Sequence, residues 1–134
     1  MAYKDFAHSP SKVAATTSAV KMQYPNRKLI ACLELHTYSS LNPEFLKEYE
    51  GALDAANVAI VFYSPDSVKI KQLDAVSYEQ IAEAFKRKDL VIFTNPNEFR
   101  NYLFAQNFDN SALLLMSSGN YGGLNFDDVK ELML

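Results

Sequence analysis

The residues with the most chemical potential open the chain: Asp5-Phe6-Ala7-His8-Ser9-Pro10. A carboxylate and an imidazole stand three residues apart, followed by a hydroxyl and a proline. Ser9-Pro10 reads as the N-cap and first position of a helix running from Ser11 to Val20. A turn of this kind gathers an acid, a base and unpaired backbone N–H groups at one point. Those N–H groups and the positive end of the helix dipole favour an anion such as phosphate. Asp5 is suited to accept from ribose hydroxyls or to assist a magnesium ion, and His8 to donate to a phosphate or carboxylate. The same six residues also suit a plain strand end followed by a capped helix.

Two more loops carry polar chemistry. His36-Thr37-Tyr38-Ser39-Ser40 follows an apolar run ending at Leu35 and is dense in groups that orient a substrate. Ser117-Ser118-Gly119-Asn120-Tyr121-Gly122-Gly123 holds three of the chain's four glycines, which allow left-handed backbone and close approach to a ligand. Each also fits a simpler part, a solvated loop in the first case and a tight strand-to-helix turn in the second. Neither a G-x-G-x-x-G fingerprint nor a P-loop occurs. His8 and His36 are the only histidines, and the single cysteine, Cys32, lies inside an apolar run. No metal-ligand spacing is present, so no zinc site is expected. Nor is there a nucleophile-elbow context for a Ser-His-Asp or Cys-His arrangement.

The elements that must position these loops follow from periodicity. Tyr3–Phe6, Lys28–Leu35, Val58–Tyr63, Leu90–Phe93 and Ala112–Met116 read as strands, with Val68–Lys71 as a short edge strand or extended loop. Several are continuous apolar runs, which suit parallel strands covered on both faces. Between them lie helix signals. Ser9-Pro10 precedes Val13, Thr17 and Val20 on one face, and Asn42-Pro43 precedes Phe45, Tyr49 and Leu53. Ser77 and Gln80 form a capping box before Ile81 and Phe85. Asn95-Pro96 opens a helix with Phe99, Tyr102 and Leu103, and Asn125 one with Phe126, Val129 and Leu132. Lys86-Arg87-Lys88 suits the negative end of a helix. Strands alternating with helices predict an α/β fold: a doubly wound, mostly parallel sheet of about six strands, with helices on both faces and ligand-binding loops at the strand carboxyl ends. Residues 1–134 read as one domain.

Composition narrows the function classes. Hydrophobic residues make up 49% and charged residues 22%, with a net charge of −3. That balance argues against nucleic acid or an anionic membrane as partner, both of which call for a basic face. No apolar run approaches the roughly 20 residues needed to span a bilayer, and the start lacks a signal-peptide h-region. A lone thiol excludes an intrachain disulfide and fits a reducing cytoplasm.

Taken in order, the three loops resemble the C-terminal domain of the Mur ligases, ATP-dependent amide ligases that build the peptide of peptidoglycan. Asp5-Phe6-Ala7-His8-Ser9-Pro10 is similar to the family's D-[YF]-[AG]-H-x-P opening. Ala31-Cys32-Leu33-Glu34-Leu35-His36-Thr37-Tyr38-Ser39 resembles its second strand and substrate loop. Met116-Ser117-Ser118-Gly119-Asn120-Tyr121-Gly122-Gly123 resembles M-S-N-G-x-F-G-G, a form most like the tripeptide-adding, murein-recycling branch; the L-alanine-adding branch is the nearest alternative. The resemblance implies a domain excised from a three-domain enzyme, inactive alone and with no catalytic or metal-binding residue of its own. It would close over ATP and Mg, held mainly by the central domain, and position a peptide or amino-acid acceptor for attack on the UDP-N-acetylmuramate acyl phosphate. Asp5, His8 and Ser9 would line the nucleotide side, and His36, Thr37, Tyr38, Ser39, Ser118, Asn120 and Tyr121 the acceptor side. Its partners would be the central and N-terminal domains, in the cytoplasm. Where the family carries an arginine-bearing loop, His36–Ser40 has none, so an acceptor carboxylate would be held by other groups, or the acceptor differs. Competing readings are a free-standing α/β ligand-binding module and a flavodoxin-like or receiver domain; the latter calls for a phosphate-cradling first loop or an acidic pair after strand one, and the chain has neither.

Overall fold

The computed structural model describes residues 2–5, 9–35, 47–63, 78–87, 89–106, 108, 110–117, 121 and 127–129. Within them the strands are β1 (Ala2–Asp5), β2 (Lys28–Glu34), β3 (Val58–Phe62), β4 (Val91–Phe93) and β5 (Ser111–Met116). The helices are α1 (Pro10–Gln23), α2 (Tyr78–Phe85) and α3 (Pro96–Phe104), with a 3-10 turn at Lys47–Tyr49. The five strands form one sheet in the order β1-β5-β2-β3-β4, and every pairing is parallel.

The continuous apolar runs have the cause expected of them. All of β5 and all but the first residue of β2 are buried, because helices cover both faces. Leu29, Ala31, Leu33 and Leu35 pack with Val13 of α1, Tyr49, and Ile81 and Phe85 of α2. Tyr49 stacks on Phe85 with ring centroids 5.1 Å apart. Ile30 and Cys32 face the other way, against Phe99 and Leu103 of α3 and Val129 of a helical turn at 127–129. The single thiol is fully buried, and burial pushes its pKa up. Among the described residues no helix is long and apolar enough to cross a membrane.

Several local expectations are refined. Asn95 caps α3 as expected, its Oδ1 accepting from the N–H groups of Asn97 and Glu98 at 2.9 and 3.2 Å. Ser9 occupies the N-cap position of α1, but its side chain makes no capping bond. No helix continues from Tyr49 to Leu53. Instead the 3-10 turn gives way to turns through Ala55, because Gly51 takes φ +75°, in the left-handed region that breaks helical bonding. Tyr49 and Leu53 are nevertheless both buried. Lys86 also turns left-handed, at φ +55°, and ends α2. The side chain of Arg87 then leaves the helix to donate to the carbonyls of Leu53 and Asn57. Five strands are described; Val68–Lys71, Asn42-Pro43, Phe45, Ser77, Lys88, Asn125, Phe126 and Leu132 lie outside the described residues.

Candidate functional site

The strand order brings the carboxyl ends that carry the three loops together. From β1 the chain passes through α1 to β2, yet β5 lies between those two strands. Asp5 is in register with Met116, and Leu33 with Met116 from the other side. The carboxyl ends of β1, β5 and β2 therefore lie side by side, at the edge where an open α/β sheet binds ligands.

Ser117 ties the three ends together. Its backbone N–H donates to the carbonyl of Asp5 at 3.0 Å, and its hydroxyl donates to Oε1 of Glu34. The same Oε1 accepts the backbone N–H of Tyr121 at 3.0 Å. Glu34 is only 3% exposed. Moving a carboxylate out of water costs several kcal/mol unless donors replace the lost hydration. Here a hydroxyl and a backbone amide from the chain leaving β5 do so, in bonds strengthened by the charge.

Tyr121 is held from three directions. Its backbone sits at φ +56°, which a non-glycine residue adopts only when its surroundings over-determine it. Its ring stacks on Phe99 at 5.1 Å and 13° and leans on Phe62 at 6.1 Å. Its hydroxyl proton is shared between the carbonyls of Met116 and Cys32, at 2.6 and 2.9 Å. Burial, reinforced by the charge of Glu34, pushes the phenol pKa well up. The group is a neutral donor that joins β2 to β5, and its side chain is turned into the core rather than toward a ligand.

The other site candidates divide simply. Asp5 is exposed at the end of β1, and Ser9 is half-buried at the start of α1. His8, His36, Thr37, Tyr38, Ser39, Ser118 and Asn120 lie outside the described residues. An open cleft of about 320 Å³ runs beside the first turn of α1, lined by Pro10, Ser11, Ala14, Glu48, Glu50 and Ala52. Its two carboxylates, Glu48 and Glu50, oppose an anion in this cleft. Among the described residues no three His, Cys, Asp or Glu side chains cluster to hold a metal ion.

Glu34 and Ser117 received no role from the residues alone. The available signal was one acidic residue inside an otherwise apolar run from Leu29 to Leu35, in phase with Ile30 and Cys32. An acid on a buried face must find donors.

No family model matches the chain. It is 31% identical over 119 residues to a UDP-N-acetylmuramate–L-alanine ligase of Leuconostoc citreum, covering 87% of this chain and 24% of that protein. A protein of the same name from Francisella tularensis is 30% identical over 118 residues, covering 87% and 22%. The chain thus spans about a quarter of the length of these curated relatives. Among solved structures, a murein peptide ligase from Psychrobacter arcticus superposes with a TM-score of 0.73 at 16% identity, over 98% of this chain and 27% of that one. A domain from a putative UDP-N-acetylmuramate:L-alanyl-γ-D-glutamyl-meso-diaminopimelate ligase of Haemophilus ducreyi gives 0.63 at 21% identity, over 98% and 89%. Sequence similarity leads to UDP-N-acetylmuramate–L-alanine ligases and fold similarity to murein peptide ligases, so the chain is similar to the C-terminal α/β domain of the Mur ligases.

Proposed function

We propose that this domain serves an ATP-dependent amide ligase of peptidoglycan synthesis or recycling, closing over the nucleotide and presenting the acceptor amine. In this reading it works in the cytoplasm with a central and an N-terminal domain of the same enzyme. One observation carries the reading: the ends of β1, β5 and β2 bear the three family-like motifs, and Ser117 bonds to both of the others. The exposed Asp5 and the start of α1 suit the nucleotide side, together with His8. The loops after Leu35 and Ser117 suit the acceptor, through His36 to Ser39, Ser118 and Asn120, with the backbone of Tyr121 framing the second loop. No phosphate-cradling loop occurs in the sequence. The residues present therefore fit one wall of an ATP–magnesium site, and the triphosphate and its metal would rest chiefly on the central domain.

The acceptor we favour is the murein tripeptide, on the form of Met116–Gly123. L-alanine is the second reading, supported by the names of the curated relatives at 30–31% identity. The test is phosphate release by the enzyme that contains this domain, supplied with ATP, UDP-N-acetylmuramate and either acceptor. Turnover with the tripeptide alone is expected; turnover with L-alanine alone selects the second reading, and turnover with neither refutes both. His8→Ala in that enzyme should lower kcat far more than thermal stability. The 134 residues by themselves should form no amide bond. Absence of a P-loop domain in the reading frame before Met1 would instead favour a free-standing binding module.

A further inference from the structure

We infer that Glu34 is a positioning residue of the acceptor side: one buried carboxylate oxygen accepts from both Ser117 and Tyr121 and so fixes these two residues against β2. The acceptor role rests on the functional reading above, whereas the pin itself does not.

The geometry points to positioning because both bonds converge on a single atom. Oε1 of Glu34 receives the Ser117 hydroxyl and the Tyr121 amide, which bracket the three intervening residues. The far end is also constrained by the left-handed backbone of Tyr121 and its stacked ring. The near end is bonded to Asp5 on the opposite strand. Packing alone does not call for a carboxylate here, since the neighbours on the same face of β2, Ile30 and Cys32, are apolar and fully buried. A group that is expensive to bury is kept where it collects two donors from the loop bearing Ser118 and Asn120. Preorganised loops bind more tightly because less ordering remains to be done on binding.

The test has two arms. In the 134-residue chain, Glu34→Ala should raise hydrogen exchange at the Tyr121 amide by at least about tenfold, while amides at the centres of β2 and β5 stay protected. In the enzyme containing this domain, Glu34→Ala should raise the acceptor KM by roughly tenfold, the scale of a lost charge-assisted hydrogen bond, with the KM for ATP nearly unchanged. Glu34→Gln keeps an acceptor oxygen and should recover most of both losses. Ser117→Ala, which removes one pin and keeps the backbone bond to Asp5, should shift the acceptor KM in the same direction by less. Unchanged exchange at Tyr121 in Glu34→Ala overturns the pin. Equal changes in both KM values, or a fall in stability alone, reduce Glu34 to a structural residue. A Gln variant as impaired as Ala overturns positioning in favour of direct charge contact. If the unsubstituted enzyme ligates nothing, the functional reading fails and the acceptor role with it, while the exchange arm still reports on the pin.

Discussion

Replacing Tyr121 by phenylalanine isolates the contribution of one hydroxyl to the coupling of β2 and β5. The phenol proton is shared between the carbonyls of Met116 and Cys32 at 2.6 and 2.9 Å. The substitution leaves the ring stacked on Phe99 and leaning on Phe62, so burial is almost unchanged and the hydrogen bonds are what is lost. A net buried hydrogen bond contributes about 1 kcal/mol, and leaving an acceptor unsatisfied costs about 1–3 kcal/mol. With one proton serving two carbonyls, a loss of about 1–2 kcal/mol is expected. An unfolding entropy of about 2.1 cal/mol/K per residue amounts to about 0.28 kcal/mol/K for a chain of this length, so the midpoint should fall by about 4–7 °C. Urea and thermal melts of both proteins measure this, with an unchanged urea slope showing that only stability has moved. A Tyr121→Phe chain within about 0.5 kcal/mol of the original would mean that the two carbonyls are satisfied without the phenol and that the reasoning fails. Tyr121→Ala, which also removes the ring, should cost about 3–5 kcal/mol.

Four further outcomes follow from particular contacts. Asn95→Ala should destabilise by about 1 kcal/mol, while Ser9→Ala should have much less effect, since only Asn95 bonds to its helix; equal losses would contradict the observed caps. Arg87→Ala strips donors from the carbonyls of Leu53 and Asn57 and should cost about 2 kcal/mol in a urea melt; Arg87→Lys, which cannot span both, should restore only part. Arg87 also holds the exposed Asp89 carboxyl below its ordinary pKa, chiefly through their hydrogen bond. The small stabilisation from that pair should be present above the ordinary carboxylate value and vanish as pH falls through the lowered one; an ordinary Asp89 midpoint by NMR titration would refute the pairing. Buried with a raised pKa, Cys32 should resist alkylation at neutral pH until the chain unfolds, so labelling should track the global melt; rapid labelling of the folded chain would place the thiol outside the core.

Much of the fold was legible along the chain. The runs around Ile30–Leu33, Val58–Phe62 and Ala112–Met116 have the length and continuity of doubly covered strands, and they are such strands. The helix starts at Pro10 and Pro96 were marked by proline in the first turn, and at Pro96 by the Asn95 cap as well, because these signals act over three or four residues. Local patterns misled where backbone conformation overrode spacing. Tyr49 and Leu53 are four residues apart and both buried, yet Gly51 turns the chain between them. Tyr121 stands in a polar, glycine-rich stretch, and the family resemblance implied an acceptor-side role for it, whereas its ring belongs to the core.

The sequence by itself determined the alternation of apolar strands and capped helices, the parallel α/β class, and the three polar loops that follow strands. Those features depend on neighbours a few residues away. Only the tertiary structure decided that β5 enters between β1 and β2, because pairing between strands so far apart in the chain depends on how the helices pack across the sheet and leaves no local periodic trace. That insertion places Ser117 between Asp5 and Glu34, gives an isolated acid in an apolar strand its two donors, and brings together strand ends that lie far apart in the chain.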